Sequence, residues 1–427
     1  MAASNRTGMG MAAPRVLLTD GDYDNTLAVA RELSEDLDAT VVGTGTSRRS
    51  RLLRSRYCDI AVTVPESGTP GYAEALLAVV DEYRPDAIVP IGHGSVAALV
   101  GARDSLPELV APCLPPTESF RAAEDKATTL RYGEQVGFDV PTDYSDLVTD
   151  LAADGRAVPD LDALPFPLFL KARWETGRAT TALVDEPANF WEAYDLIAAD
   201  APNGEVLVQE YVDGPSVTYG CGLLFLDNEV ELVVGHEELR SVPRHGGSGT
   251  RLRLHRDPHL ETGSIQLLRE IGWHGVALVE FRRRPDGTLV LMEINPKFWA
   301  SYALASAYGY RFASTAVANV LDLDVERPLG SPEPVGEMTF PLRELYHYVQ
   351  HREQERLLDC FASVARPRAA WDLDWWDLPA WLTPPGDLVE KFPYLDSPEG
   401  PPDFSGASGD GERGEDREAR TESSTRE

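Results

Sequence analysis

Val276-Ala-Leu-Val-Glu280-Phe-Arg-Arg-Arg-Pro-Asp286-Gly287-Thr-Leu-Val-Leu-Met-Glu293-Ile-Asn295-Pro-Lys297 places two apolar runs on either side of Asp-Gly. Runs rich in Val, Leu, Ile and Phe read as strands, and Asp-Gly between them reads as a two-residue hairpin turn. With Asp286 and Gly287 as its central residues, Glu280 falls opposite Glu293, and Asn295, two positions on, points to the same side. Directly opposed residues have Cβ atoms about 4.5–5.5 Å apart. Two carboxylates at that distance repel unless one holds a proton or a cation lies between them. With an amide oxygen beside them the donor set is all oxygen, which suits Mg²⁺ or Mn²⁺ rather than a soft metal. A solvated charged face is the other reading, and the apolar strands around both glutamates favour the metal. A longer turn would slip the register and weaken the pairing.

Upstream, the first hundred residues alternate strand-like runs (Val16–Thr19, Ala39–Gly43, Ile60–Val64, Ala87–Ile91) with helical patterns (Thr26–Leu37, Tyr72–Tyr83). That alternation predicts a parallel sheet with helical crossovers, Rossmann-like in shape. The turn Asp20-Gly21-Asp22-Tyr23-Asp24-Asn25 lacks the glycine triplet of a dinucleotide site and carries three acids that repel phosphate. Gly92-His93-Gly94 follows a strand and reads either as a tight turn or as a substrate contact.

A helix is expected from about Asp125 to Val136, ending at Gly137. Strands follow at Pro167–Ala172, Thr180–Val184, Val206–Val212, Ser216–Phe225 and Val230–Val234, with helices at Pro187–Ala199 and Pro258–Ile271. This mixed order predicts an α+β module. Between its strands and the hairpin, Arg240-Ser-Val-Pro-Arg244-His-Gly246-Gly247-Ser-Gly249-Thr-Arg251 sets flexible glycines among three Arg. The stretch suits an anion, and a basic surface loop fits it equally. Beyond about Gly330 come helices and a segment holding Trp371, Trp375, Trp376 and Trp381, expected to dock the chain end onto the body. His347 and His351 lie four apart without the glutamate of a zinc-protease motif, so packing is preferred to metal. No P-loop motif occurs.

The charge balance limits the partners. There are 70 acidic and 39 basic side chains, net −31, which excludes a protein that coats nucleic acid. Only Lys126, Lys171, Lys297 and Lys391 are lysine. The Gly-, Ser- and Glu-rich tail from Ser397 onward reads as disordered but accounts for only −5 of the charge. The acidic, lysine-poor body suggests a halophilic protein whose folding depends on salt. No apolar run reaches the length of a membrane span, Met1–Ala13 lacks the apolar core of a secretory signal, and Cys58, Cys113, Cys221 and Cys360 are scattered. A cytoplasmic protein is expected.

On Glu293-Ile-Asn-Pro-Lys-Phe-Trp, preceded by Ile271-Gly-Trp-His-Gly-Val-Ala-Leu-Val-Glu280, the sequence resembles the carboxylate–amine ligase-like branch of the ATP-grasp superfamily, over roughly Val16 to Leu321. The resemblance implies an α/β fold class: a Rossmann-like N-terminal domain (14–115), an ATP-grasp α+β module (116–330, hinge near 209–213) and a helical Trp-rich extension (331–396), between a disordered leader (1–13) and an acidic tail (397–427). It implies that Glu280, Glu293 and Asn295 hold Mg²⁺ (or Mn²⁺) on ATP and that Lys126 and Lys171 hold phosphates. The hinge Val208-Gln209-Glu210-Tyr211-Val212 would meet adenine through Glu210 C=O and Val212 N–H. Lys297 stands where the family usually has Arg, and with Arg240 and Arg244 it is the candidate for an acyl phosphate. Gln209 stands for a common Glu, and the loop after Lys171 has one glycine where the family's is glycine-rich.

The expected function is therefore an ADP-forming ligase that phosphorylates a small-molecule carboxylate and joins it to an amine or other nucleophile. Carboxyphosphate chemistry of the biotin carboxylase or carbamoyl phosphate synthase kind, and a non-catalytic nucleotide-binding regulator, are the alternatives. The sequence leaves a homodimer open.

Overall fold

The computed structural model describes residues 13–382 apart from 107–113, 154–155, 157–160, 162, 176–180, 215–217, 243–246, 324, 326–328, 352–355 and 367–368. The expected tail, and the expected leader apart from Ala13, lie outside the described residues.

The N-terminal part alternates β1 (Arg15–Leu18), α1 (Asn25–Leu37), β2 (Thr40–Gly45), β3 (Ile60–Thr63), α2 (Tyr72–Tyr83), β4 (Ala87–Val89) and α3 (His93–Gly101). Its four strands form a parallel sheet in the order β3-β2-β1-β4. Val16, Leu17 and Leu18 are fully buried, as a central parallel strand covered on both faces requires. After α4 (Thr117–Glu124), α5 (Lys126–Gln135) and α6 (Ser145–Ala153), the strands β5 (Leu168–Ala172), β6 (Thr181–Val184) and β7 (Val206–Glu210), with α7 (Phe190–Asp200), make a three-stranded antiparallel sheet in the order β6-β5-β7.

The third sheet has seven strands. It contains β8 (Thr218–Leu226), β9 (Glu229–Val242), β10 (Ser248–Leu254) and, after α8 (Pro258–Ile271), β11 (Gly275–Arg283) and β12 (Leu289–Asn295). Past α9 (Tyr302–Ala307) and α10 (Phe312–Val320), β13 (Glu337–Thr339) joins it, then α11 (Pro341–Gln350), α12 (Leu357–Val364) and β14 (Ala370–Trp371) complete the order β12-β11-β8-β9-β10-β13-β14. The two faces of the β11–β12 hairpin serve different cores. Val279, Phe281, Leu289, Leu291 and Ile294 pack with Leu130, Leu267 and Leu268 from α5 and α8. Val276 and Leu278 join Trp299, Phe312 and the β1–β2 residues Val16 and Val41.

Two expectations are corrected. The described ends of the basic stretch are strand rather than loop: β9 runs to Val242 and β10 starts at Ser248, the two pair antiparallel with Arg240 opposite Arg251, and 243–246 between them lie outside the described residues. Gly249, one of the glycines that suggest flexibility, is a strand residue whose missing Cβ lets the Glu238 carboxylate approach. The chain beyond 330 is also not purely helical, because β13 pairs antiparallel with β10 along Arg251–Arg253.

The Trp-rich segment docks mainly through its aspartates. Asp377 accepts from Ser55 Oγ and from the Arg56 N–H (2.8 Å), and Asp374 from the Tyr57 hydroxyl (2.9 Å). Trp381 is buried against Leu27, whereas Trp375 and Trp376 are exposed. Arg343 of α11 ties the same region to the N-terminal part: its Nη2 donates to both Asp24 oxygens (2.9 and 2.8 Å) and to Ala300 O. His347 is buried with Nδ1 2.7 Å from Ser241 O, a packing role.

Glu32 sits at the junction of α1 with α9 and α10, fully buried, accepting from Tyr302 Oη (2.6 Å) and Ser314 N (2.9 Å). Burial pushes its carboxyl up to about 7, against those hydrogen bonds. A folded-state value above the unfolded one means that folding takes up a proton, so this group costs stability as pH rises from about 4.5 through 7. Glu32→Gln should melt like the native chain at pH 5 and higher than it at pH 8, by on the order of 3 kcal/mol. Thermal melts at the two pH values check this.

Candidate functional site

The hairpin brings Glu280 opposite Glu293, by a route that differs from the expected one. The turn is a three-residue loop: Arg284 N donates to Thr288 O and Gly287 N to Arg284 O (both 2.9 Å), with Gly287 at φ 94°. Asp-Gly serves this turn as well as the two-residue one, since both need a left-handed glycine. Pairing then runs Arg283 with Leu289, Arg282 with Val290 and Phe281 with Leu291, which would set Met292 against Glu280. A β-bulge at Met292 restores the difference and gives Glu280–Glu293, Val279–Ile294 and Leu278–Asn295.

The bulge decides which face Glu293 occupies. Leu289 and Leu291 point into the α5–α8 core, and strict alternation would send Glu293 after them. One extra residue reverses the alternation, so Ile294 takes the core face and Glu293 and Asn295 join Glu280. The bulge also frees the Met292 carbonyl, which accepts from Lys171 Nζ at 3.1 Å. Lys171 stands near the end of β5, so this bond joins the three-stranded and seven-stranded sheets.

Lys126 opens α5, whose N-cap Asp125 accepts from Ala127 N (3.2 Å) and Thr128 Oγ1 (2.8 Å). Arg173, two residues after Lys171, clamps both Asp125 oxygens at 2.8 Å, fixing the helix start to the end of β5. Lys126 Nζ then lies 2.8 Å from Glu175 Oε2 and 3.7 Å from Glu293 Oε2, and Lys297 Nζ lies 3.7 Å from Glu175 Oε1. Three of the four lysines of the chain thus converge with Glu175, Glu280 and Glu293.

These neighbours set the charges. Burial, with Glu293 and Glu238 facing it, raises the Glu280 carboxyl well above the ordinary range. Burial brings Lys171 down to about 8, helped by Lys126 and opposed by Glu293. Burial would raise Glu175, but Lys126 and Lys297 outweigh it and hold its carboxyl at about 2. Two facing carboxylates, one of them pushed toward its protonated form, beside the Asn295 amide (Nδ2 3.4 Å from Glu293 Oε1) fit a hard divalent cation. Among the described residues no three His, Cys, Asp or Glu side chains form a ready-made metal cage.

The other candidates divide. Gln209 lies on β7, fully buried, with neither amide atom hydrogen-bonded; Glu210 ends that strand, and its carboxylate takes Thr142 Oγ1 (3.0 Å) and Arg284. Val212 is buried just beyond. Arg240 is drawn instead to buried Glu344 of α11, with Nε 3.6 Å from its Oε1. Arg244 lies outside the described residues. Glu175 is a site residue that the glycine content of the loop after Lys171 does not signal. A carboxylate four residues past a lysine, in a chain with four lysines, was the available signal. The sequence also leaves open Gly92-His93-Gly94, which opens α3 and puts His93 Nε2 3.2 Å from Glu124 Oε1, next to Lys126.

No protein-family model matches the chain. A stretch of 257 residues is 26% identical to the carbamoyl phosphate synthase large chain of Campylobacter jejuni, covering 57% of this chain and 23% of that one. Three solved structures superpose over most of the chain: the biotin carboxylase of C. jejuni in a β-γ-ATP complex (TM-score 0.59, 14% identity, 77% of this chain and 75% of that one), an N5-carboxyaminoimidazole ribonucleotide synthetase in its ADP complex (0.57, 14%, 80% and 86%), and the L-amino acid ligase of Bacillus licheniformis (0.55, 14%, 77% and 79%). At such identities the likeness is one of fold. Among the described residues no helix is long and apolar enough to cross a membrane.

Proposed function

We propose that this chain, which has the ATP-grasp fold shared by carboxylate–amine ligases, uses ATP and a divalent cation to activate a carboxylate as an acyl phosphate. The observation that carries the reading is the convergence of Glu280, Glu293 and Asn295 with Lys126, Lys171 and Lys297 on the bulged hairpin. Phosphoryl transfer asks little covalent chemistry of a protein; it needs the phosphates held in line and their charge neutralised. Lys126 and Lys171 would take phosphate oxygens, and Lys297 the transferred phosphoryl group. Glu280, Glu293 and Asn295 would hold Mg²⁺, or Mn²⁺, which would neutralise phosphate charge. The backbone of Glu210 and Val212 would receive the adenine. A substrate carboxylate oxygen attacks the γ-phosphorus, the bond to the β–γ bridging oxygen breaks, and ADP leaves. An amine or other nucleophile then displaces phosphate from the acyl carbon.

Carboxyphosphate formation is the second reading, favoured by the similarity to a carbamoyl phosphate synthase large chain. ADP and phosphate release measured over a panel of amino acids and with bicarbonate separates the two. Release stimulated by an amino acid supports the ligase, and release stimulated only by bicarbonate supports carboxylation. Nucleotide binding with neither contradicts both and leaves a regulator.

A further inference from the structure

Glu175 occupies the place where the proposed function needs an anion from outside. Its carboxylate spans Lys126 Nζ (2.8 Å) and Lys297 Nζ (3.7 Å), one lysine on each oxygen, and the side chains of Glu175 and Lys126 are each only 9% exposed. Its backbone is pinned independently, since Glu175 N donates to Glu124 O at 2.9 Å and the neighbouring Trp174 is bridged to Asp125. The backbone of Glu175 is therefore held by contacts separate from those its carboxylate makes to the lysines.

We propose that Glu175 is an internal counter-anion: it holds Lys126 and Lys297 in the nucleotide-free chain and must be displaced by incoming phosphate. The inference rests on the nucleotide reading above and adds a selectivity to it. A buried lysine is costly without an anion; Lys126 has Glu293 at 3.7 Å and Glu175 closer at 2.8 Å, and Glu175 extends the pairing to half-buried Lys297. It also sets a threshold. A lone carboxylate or inorganic phosphate offers these lysines little more than Glu175 already does, whereas a triphosphate brings more charge and more acceptor oxygens to Lys126, Lys171 and the metal site together. The site would thus stay closed to small anions, including a free carboxylate substrate, until ATP arrives, which makes nucleotide the first ligand to bind.

The affinity of a site whose competent form is a minor population is reduced by that fraction. Glu175→Gln should accordingly tighten MgATP by about tenfold or more, tighten inorganic phosphate as well, and leave adenosine, which carries no phosphate, unchanged. Calorimetric titration of the full-length chain with the three probes reads this, and Glu175→Ala repeats it without an amide in the same place. Glu124→Gln removes a nearby negative charge that touches neither lysine and should give a much smaller gain. Equal MgATP affinity in the native chain and both Glu175 variants would overturn the inference. So would an equal gain for adenosine, or an equal gain from Glu124→Gln. If neither native nor variant protein binds MgATP, the nucleotide reading itself falls, an outcome distinct from the others.

Discussion

Glu293→Gln is expected to lower Mg²⁺-dependent ADP release by about a thousandfold, the scale lost when one fixed group that stabilises transferring charge is removed. Gln keeps the shape and one acceptor oxygen of Glu293 but not its charge, and it stands at the position where the Met292 bulge turns the strand toward Glu280. The same change removes a charge that, second to burial, raises Glu280, and it also takes a carboxylate from Lys126 at 3.7 Å, so the melting point alone does not report the role. The signature of a metal ligand is lost turnover in a variant whose melting point no longer rises when Mg²⁺ and ATP are added, while that of the native chain does. An equal rise in both would assign Glu293 to the fold instead.

Lys171→Met should weaken MgATP by about ten- to a hundredfold, the worth of a charge-assisted hydrogen bond. A pH dependence comes with it. Burial brings Lys171 down to about 8, so in the free chain its charge is present below that pH and lost as pH rises through it. MgATP binding should weaken above pH 8, and binding near pH 8 should take up part of a proton as phosphate restores the charge. Titrations in two buffers of different ionisation enthalpy measure that uptake, and Lys171→Met should abolish it. Uptake that persists in the variant would assign the proton to another group.

The sequence signalled elements more reliably than their joints. The helix Pro258–Ile271 is legible end to end because Asp257 caps it, Pro258 starts it and Gly272 stops it at φ 71°. The Glu280–Glu293 pairing was also legible, but through two features that compensate: a loop one residue longer than expected and a bulge of one residue. Neither leaves a mark in the sequence, since Asp-Gly fits either turn and Met292 looks like any strand residue. Arg240 shows the opposite limit. A basic residue near glycines suggests an anion site, yet the acid that meets it, Glu344, comes from a helix about a hundred residues away. Such a pairing is set by how the seven-stranded sheet recruits β13, and nothing local encodes it.

The charge pattern can now be divided. The acidic excess, net −31, lies mostly on the body, while Lys126, Lys171 and Lys297 gather at one place among the described residues. Arg carries nearly all other positive charge, including the structural clamps Arg173–Asp125 and Arg343–Asp24. Arg suits those roles because its planar fork binds carboxylates at two points, whereas a lysine ammonium can follow a moving phosphate.

Trapping with hydroxylamine tests the central claim most directly, because an acyl phosphate reacts with it to give a hydroxamate. The account predicts hydroxamate that requires ATP, Mg²⁺ or Mn²⁺ and a specific carboxylate, formed together with ADP and lost in Glu293→Gln. Release of AMP in place of ADP, or ADP release with no hydroxamate from any carboxylate of the panel, would contradict it.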